Sequence, residues 1–157
     1  MTLSNSKNFH SVEALNQFVL DLLLQTINDN PKASILLSGG NTPKQIYSSF
    51  GSLPQQSKLC TFIASDERRV PVADPLSNEG MIRKYLNTYN KDQILSLHDL
   101  SLPSKLNEIP SHDLAILGMG TDGHFASIFP FMSNLDEAID STDPVIRVDS
   151  GYPEVPR

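Results

Sequence analysis

At 157 residues, with 39% hydrophobic and 19% charged side chains, the chain is long enough for one core and too apolar for a disordered segment. A net charge of −6 without any run of Lys or Arg argues against a nucleic-acid partner, whose phosphates require a basic face. Cys60 is the only cysteine, no apolar run reaches the length of a membrane span, and no basic-then-apolar leader opens the chain, so a cytoplasmic protein with neither disulfides nor a Cys-built zinc site is expected.

Ser11 is a candidate N-cap, with Glu13 in the first turn where a carboxylate favours the helix dipole. Behind it Val12, Leu15, Phe18, Val19, Leu22 and Leu23 recur at three- and four-residue spacing. That spacing predicts an amphipathic helix ending near residues 28–30, stopped by Pro31. Residues 33–37 form a short apolar run, the first predicted strand, and a helix is expected from about Pro43 through Ile46 and Tyr47. A second strand is predicted over 59–64, then a helix from the cap Ser77 to about Leu86, then a brief strand over 94–97. Pro103 and Pro110 allow at most a short helix in 98–111. A strong strand is predicted over 113–117, with a helix directly after residues 118–124 and a last strand over 145–148. Continuous apolar strands alternating with helices imply an α/β fold, a mostly parallel sheet covered on both faces in three layers, within a single domain over 1–157.

In such sheets ligands bind beyond the C-terminal strand ends, and three polar clusters follow strands directly. The first is Ser38-Gly39-Gly40-Asn41-Thr42-Pro43, where two glycines allow a tight turn into a helix start. That is a seat for an anion such as a phosphate, or an ordinary strand-to-helix turn. The second is Asp66, Glu67, Arg68 and Arg69, either a solvated rim or a site where an Arg fork grips a phosphate or lactone oxygens. The third, Gly118 to His124, pairs a histidine with Asp122 two residues before it, as a general base and its orienting carboxylate would be paired. The alternative is a surface histidine in a glycine turn. His10, His98 and His112 lack such surroundings and read as structural or solvated.

Gly118-x-Gly120-x-x-Gly123 also satisfies the dinucleotide-binding pattern. Its late position, the carboxylate of Asp122, and the absence of an acidic residue after the 145–148 run until Asp149 rank that reading second.

Taken in order, LSGGNTP at Leu37 to Pro43, SDERRVP at Ser65 to Pro71, DPLSN at Asp74 to Asn78 and DLAILGMGTDGHFASIFP at Asp113 to Pro130 resemble the 6-phosphogluconolactonase family. This family lies within the wider group that includes glucosamine-6-phosphate deaminases. Arg68 after the Asp-Glu pair and the Phe129-Pro130 ending resemble the lactonases; deaminases carry an aromatic and an Asn-Glu-Pro ending there. The resemblance implies a Rossmann-like sandwich, no metal or organic cofactor, and a small phosphorylated sugar lactone as the partner of a monomer. It implies His124 as the base that activates water, Asp122 as its support, and Ser38, Gly39, Gly40, Thr42, Asp66, Arg68, Gly120 and Gly123 as substrate-binding positions. It also implies further strands and basic residues past the last residue, with Arg157 the first of that set, so the sheet is expected to be incomplete at its C-terminus. The open alternatives are a deaminase- or isomerase-like enzyme and a non-catalytic sugar-phosphate or nucleotide binder.

Overall fold

The computed structural model describes residues 6–109 and 111–148. Pro110, Asp149 and Arg157, named above, lie outside the described residues. Helix α1 (Val12–Asp29) starts on the Ser11 cap, whose side chain accepts from the Ala14 N–H at 3.2 Å. Its inner stripe lies further along than the sequence spacing predicts. Leu23 and Ile27 are buried with Val19, Leu20 and Leu24 beside them, whereas Val12 is 62% exposed. Only the second half of the helix crosses the sheet.

Strand β1 (Ser34–Leu37) leads into α2 (Lys44–Gly51), β2 (Thr61–Ala64) and α3 (Asn78–Tyr85). A single 3-10 turn (Lys91–Gln93) precedes β3 (Ile94–Leu95), and α4 (Leu102–Asn107) precedes β4 (Leu114–Ile116). Helix α5 (Leu135–Asp140) is the last described element. The four strands order as β3-β2-β1-β4, and all three pairings are parallel. The chain therefore adds strands outward from β1 on one side, then crosses back to add β4 on the other. The neighbours β1 and β4 flank the switch point of the sheet, where open α/β sheets bind ligands.

Alternation across the strands divides the sheet into two faces. Ile35, Leu37, Phe62 and Ala64 meet Leu23, Ile27, Ile46, Tyr47, Phe50 and Ile82 from α1, α2 and α3 in the main core. Tyr89 stacks on Phe50 at 5.4 Å and meets the edge of Phe62 at 4.9 Å. The other face is thinly covered: Leu36, Ile63 and Leu117 line a groove of about 560 Å³ that α4 and α5 edge through Leu106 and Ala138.

Two expected elements do not form. No helix follows residues 118–124; Phe125 and Ile128 instead bond back to back, N–H to carbonyl at 3.3 and 2.9 Å, around a tight turn. Ala126 takes φ 48 in that turn and Pro130 lacks the N–H that a helix there would use, so helix appears only at Leu135. Residues 145–148 have no strand partner among the described residues; Val148 and Ile146 pack instead on Phe129, Met132 and Leu135. Their apolarity serves a small side cluster rather than the sheet. Among the described residues no helix is long and apolar enough to cross a membrane.

Candidate active site

All three polar clusters sit at the C-terminal ends of adjacent strands, after β1, β2 and β4. The end of β2 is the most heavily bonded. Glu67 is buried, and its carboxylate accepts from the N–H groups of Arg68, Asn78 and Glu79 at 2.7, 2.8 and 2.7 Å and from Ser77 Oγ at 2.9 Å. It anchors the start of α3, where free N–H groups favour an anion. The solvated-rim reading therefore fails for Glu67 and fits only the exposed Arg69.

Asp66 and Arg68, on either side of Glu67, are held by the first residue of α3. Asn78 Nδ2 donates to the Asp66 carbonyl at 2.9 Å and to its carboxylate at 3.2 Å, and Asn78 Oδ1 accepts from Arg68 Nη1 at 2.8 Å. Arg68 Nη1 also donates to the Leu76 carbonyl at 2.7 Å. Gly39 faces this amide so closely that a Cβ there would collide with it. The other oxygen of Asp66 accepts from Ser127 Oγ at 2.5 Å. Gly39, Asp66, Arg68 and the segment after His124 are thereby brought together.

His124 lies three residues before Ser127. Its Nδ1 meets Asp122 Oδ1 at 2.5 Å, and its ring stacks on Phe129 at 4.5 Å and 18°. A carboxylate can only accept, so Nδ1 carries the proton of this bond. The bond to His124 is the main cause holding the Asp122 carboxyl below its usual value. Gly120 donates to the His124 carbonyl at 2.8 Å and accepts from Gly123 at 3.0 Å, and a Cβ on Gly120 would strike both His124 and Asp122. Gly123 has φ 87, a backbone that favours glycine. Without a helix after Gly123 there is no helix N-terminus to seat a pyrophosphate, and the dinucleotide reading loses its structural basis.

The remaining positions are less connected. Ser38 is buried and its carbonyl accepts from the Tyr47 hydroxyl at 3.0 Å; burial pushes that phenol up to about 12. Gly40, at φ 85, and Thr42 are exposed, and among the described residues neither bonds to the Asp66–Asn78–Arg68 group. The groove on the thin face takes in Ser65, Asp66, Arg68 and Ser127 but not the first cluster, Asp122 or His124.

Sequence reasoning missed four contributors: Ser65, Ser77, Asn78 and Ser127. Each falls inside a motif quoted above, and only Ser77 had a further signal, as a helix cap. Ser65 Oγ and Arg68 Nε are buried and without a hydrogen-bond partner among the described residues. An unmet buried donor costs roughly 1–3 kcal/mol, which a polar ligand group can recover. It missed one further group: ligand atoms of Glu67, Glu79 and His98 lie within 4.8 Å of one another, a spacing that could hold a metal ion. Both carboxylates are already engaged, Glu67 by its four donors and Glu79 by Arg83 Nε at 2.8 Å and Ser96 Oγ at 2.6 Å. A cation would have to displace those bonds.

Residues 6–157 match the family model for glucosamine-6-phosphate isomerases and 6-phosphogluconolactonase. The 6-phosphogluconolactonase of Thermotoga maritima is 37% identical over 144 residues, covering 83% of this chain and 63% of that protein. That of Xylella fastidiosa strain 9a5c is 32% identical over 142 residues, covering 83% and 59%. The chain thus spans about three fifths of the length of these curated relatives. The crystal structure of the Thermotoga maritima 6-phosphogluconolactonase superposes with TM-score 0.75 at 29% identity, over 96% of this chain and 72% of the other. That of a Shewanella baltica 6-phosphogluconolactonase reaches 0.80 at 24% identity, over 90% and 68%, a likeness of fold.

Proposed function

The chain belongs to the glucosamine-6-phosphate isomerase/6-phosphogluconolactonase family, and on that premise we propose that it hydrolyses 6-phospho-D-glucono-1,5-lactone to 6-phosphogluconate, a step of the oxidative pentose phosphate pathway. The observation that carries the reaction type is the His124–Asp122 pair, an imidazole with Nδ1 fixed and Nε2 open among the described residues. Arg68 in place of an aromatic, and relatives named for the lactonase, favour this reaction over deamination.

His124 Nε2 takes a proton from water as the water oxygen bonds to the lactone carbonyl carbon. The carbonyl oxygen becomes negative in the tetrahedral intermediate. The bond from that carbon to the ring oxygen then breaks, and His124 returns the proton to the ring oxygen, so the imidazole ends as it began. Asp122 keeps the ring oriented and favours its charged form midway. Arg68, with its unmet Nε–H, supplies positive charge to the phosphate or to the developing oxyanion, and Asp66 accepts from sugar hydroxyls. The Ser38–Thr42 turn ahead of α2, whose cap Pro43 contributes no side-chain bond, offers backbone N–H groups to an anion. The same reading takes the chain as a single cytoplasmic domain, a monomer that uses no cofactor.

The test is lactone hydrolysis by the purified chain, followed as acid release, beside His124→Ala. Activity that falls on the order of 10²-fold or more in the variant supports the proposal. Equal activity in both removes His124 from the mechanism, and turnover of glucosamine 6-phosphate instead of the lactone replaces the reaction.

A further inference from the structure

Asn78 lies in a motif that the proposed reaction does not use, yet it is only 2% exposed and sits between the two charged groups at the end of β2. Its backbone N–H donates to Glu67 Oε1 at 2.8 Å, which fixes its main chain at the start of α3. Oδ1 accepts from the cation, Arg68 Nη1, at 2.8 Å; Nδ2 donates to the anion, Asp66, through its carbonyl at 2.9 Å and its carboxylate at 3.2 Å. Gly39 leaves the space in which the amide stands.

We infer that Asn78 is the positioning residue of this site, a buried amide that fixes Asp66 and Arg68 relative to each other so that a substrate meets both at a set separation. The chemistry requires an amide. A carboxylate of the same shape could hold the guanidinium but would repel Asp66; an apolar side chain would hold neither. Without a group between them, a flexible Arg two residues from an Asp closes onto it, and both are lost to a ligand. Asn78 itself touches no reacting atom.

The kinetic readout rests on the lactonase reading, so the experiment carries a second readout that does not. Steady-state lactone hydrolysis and side-chain 15N NMR of the Arg68 guanidinium are measured on the full chain for the wild type, Asn78→Asp and Asn78→Ala. Asn78→Asp keeps the acceptor for Arg68 and loses the donors to Asp66. Its kcat/KM should fall about tenfold or more, and its Arg68 Nη signals stay as hindered as in the wild type. Asn78→Ala frees Arg68 as well: KM should rise about tenfold, and rotation about the guanidinium should quicken by a similar factor. Should Asn78→Ala not fold, Asn78→Ser removes the same contacts and keeps a small polar side chain at the first position of α3.

Asn78→Asp with wild-type kcat/KM, or Arg68 signals in Asn78→Ala as hindered as in the wild type, overturns the inference. If the wild type hydrolyses no lactone, the reaction proposed above fails, and the Arg68 signals alone decide whether Asn78 is the clamp.

Discussion

Ser127 Oγ donates to Asp66 Oδ2 at 2.5 Å across 61 residues of sequence, tying the loop that carries His124 to the end of β2. The bond depends on the turn between them. Phe125 and Ile128 close it, and Ala126 holds φ 48, a left-handed backbone that an alanine adopts at some cost. That strain is met by the placement of Ser127, which is 5% exposed.

Ser127→Ala should therefore act on both stability and turnover. It removes a hydrogen bond to a charged acceptor, a change of about 1.5–3 kcal/mol. Urea denaturation should show a lower midpoint at unchanged slope, and lactone hydrolysis should fall with it. Ser127→Thr keeps the hydroxyl and should recover most of both. A variant lacking the hydroxyl with wild-type stability would show that the turn holds without this bond.

Gly39→Ala and Gly120→Ala should fail in different ways. At position 39 the new methyl meets the buried amide of Asn78, so the start of α3 must shift, at roughly 1–3 kcal/mol. At position 120 it meets His124 and Asp122 in a loop that is largely exposed, so the pair is displaced while the core is not. Thermal denaturation should move for Gly39→Ala and hardly for Gly120→Ala. Hydrolysis should drop on the order of 10²-fold for Gly120→Ala, the scale of an ångström's misplacement. A Gly120→Ala enzyme of full activity would mean that the His124–Asp122 geometry is not the reacting one.

Much of this was legible in the residues, and the remainder has physical causes. The Ser11 and Ser77 caps, Pro31, and the apolar runs of β1, β2 and β4 act locally, so pattern alone located those elements. The 145–148 run is as apolar as a strand, but Ile146 and Val148 pack on Phe129, Met132 and Leu135 instead, a contact that composition does not report. The helix expected after His124 gave way to a turn because the loop's own bonds, Asp122 to His124 and Phe125 to Ile128, engage its polar groups first. Within the site, Asp66, Arg68, Asp122 and His124 announced themselves by charge. Asn78, Ser77 and Ser127 did not, because a neutral side chain acquires its role only from neighbours distant in sequence.

Arg68→Lys tests whether the fork matters or only the charge. Arg68 Nη1 serves the Leu76 carbonyl and Asn78 Oδ1 together, while Nε–H remains unmet. A lysine has one ammonium on a flexible stem and cannot hold those two anchors and still face a ligand. KM for the lactone should rise about tenfold, and the lost anchor should lower stability by about 1–3 kcal/mol. An unchanged KM would assign the positive charge elsewhere.

Acid should destabilise the fold in two stages, through neighbours at the start of β4. His112 Nδ1 meets Ser34 Oγ at 2.8 Å, and partial burial lowers its imidazole below 6.5 despite the opposing charge of Asp113. The folded state therefore takes up that proton less readily than the unfolded chain, and stability declines as the pH drops through 6.5 toward the lower folded value. Asp113 accepts from Asn30 Nδ2 at 3.0 Å and from the Ser34 N–H at 2.8 Å, and these bonds, Asn30 first, hold its carboxyl below 3.8. Its contribution is complete above 3.8 and is lost as the pH falls below that value toward the folded one. Asp99 and Asp122, both lowered by their own hydrogen bonds, add to this second stage. Urea midpoints across the acid range should thus fall first near the histidine window and again near the carboxylate window. His112→Asn should remove the first decline and leave the second, while Asp113→Asn should weaken the second and lower stability at neutral pH. A wild-type midpoint that stays flat, or rises, as the pH drops through the histidine window would contradict the assignment of His112.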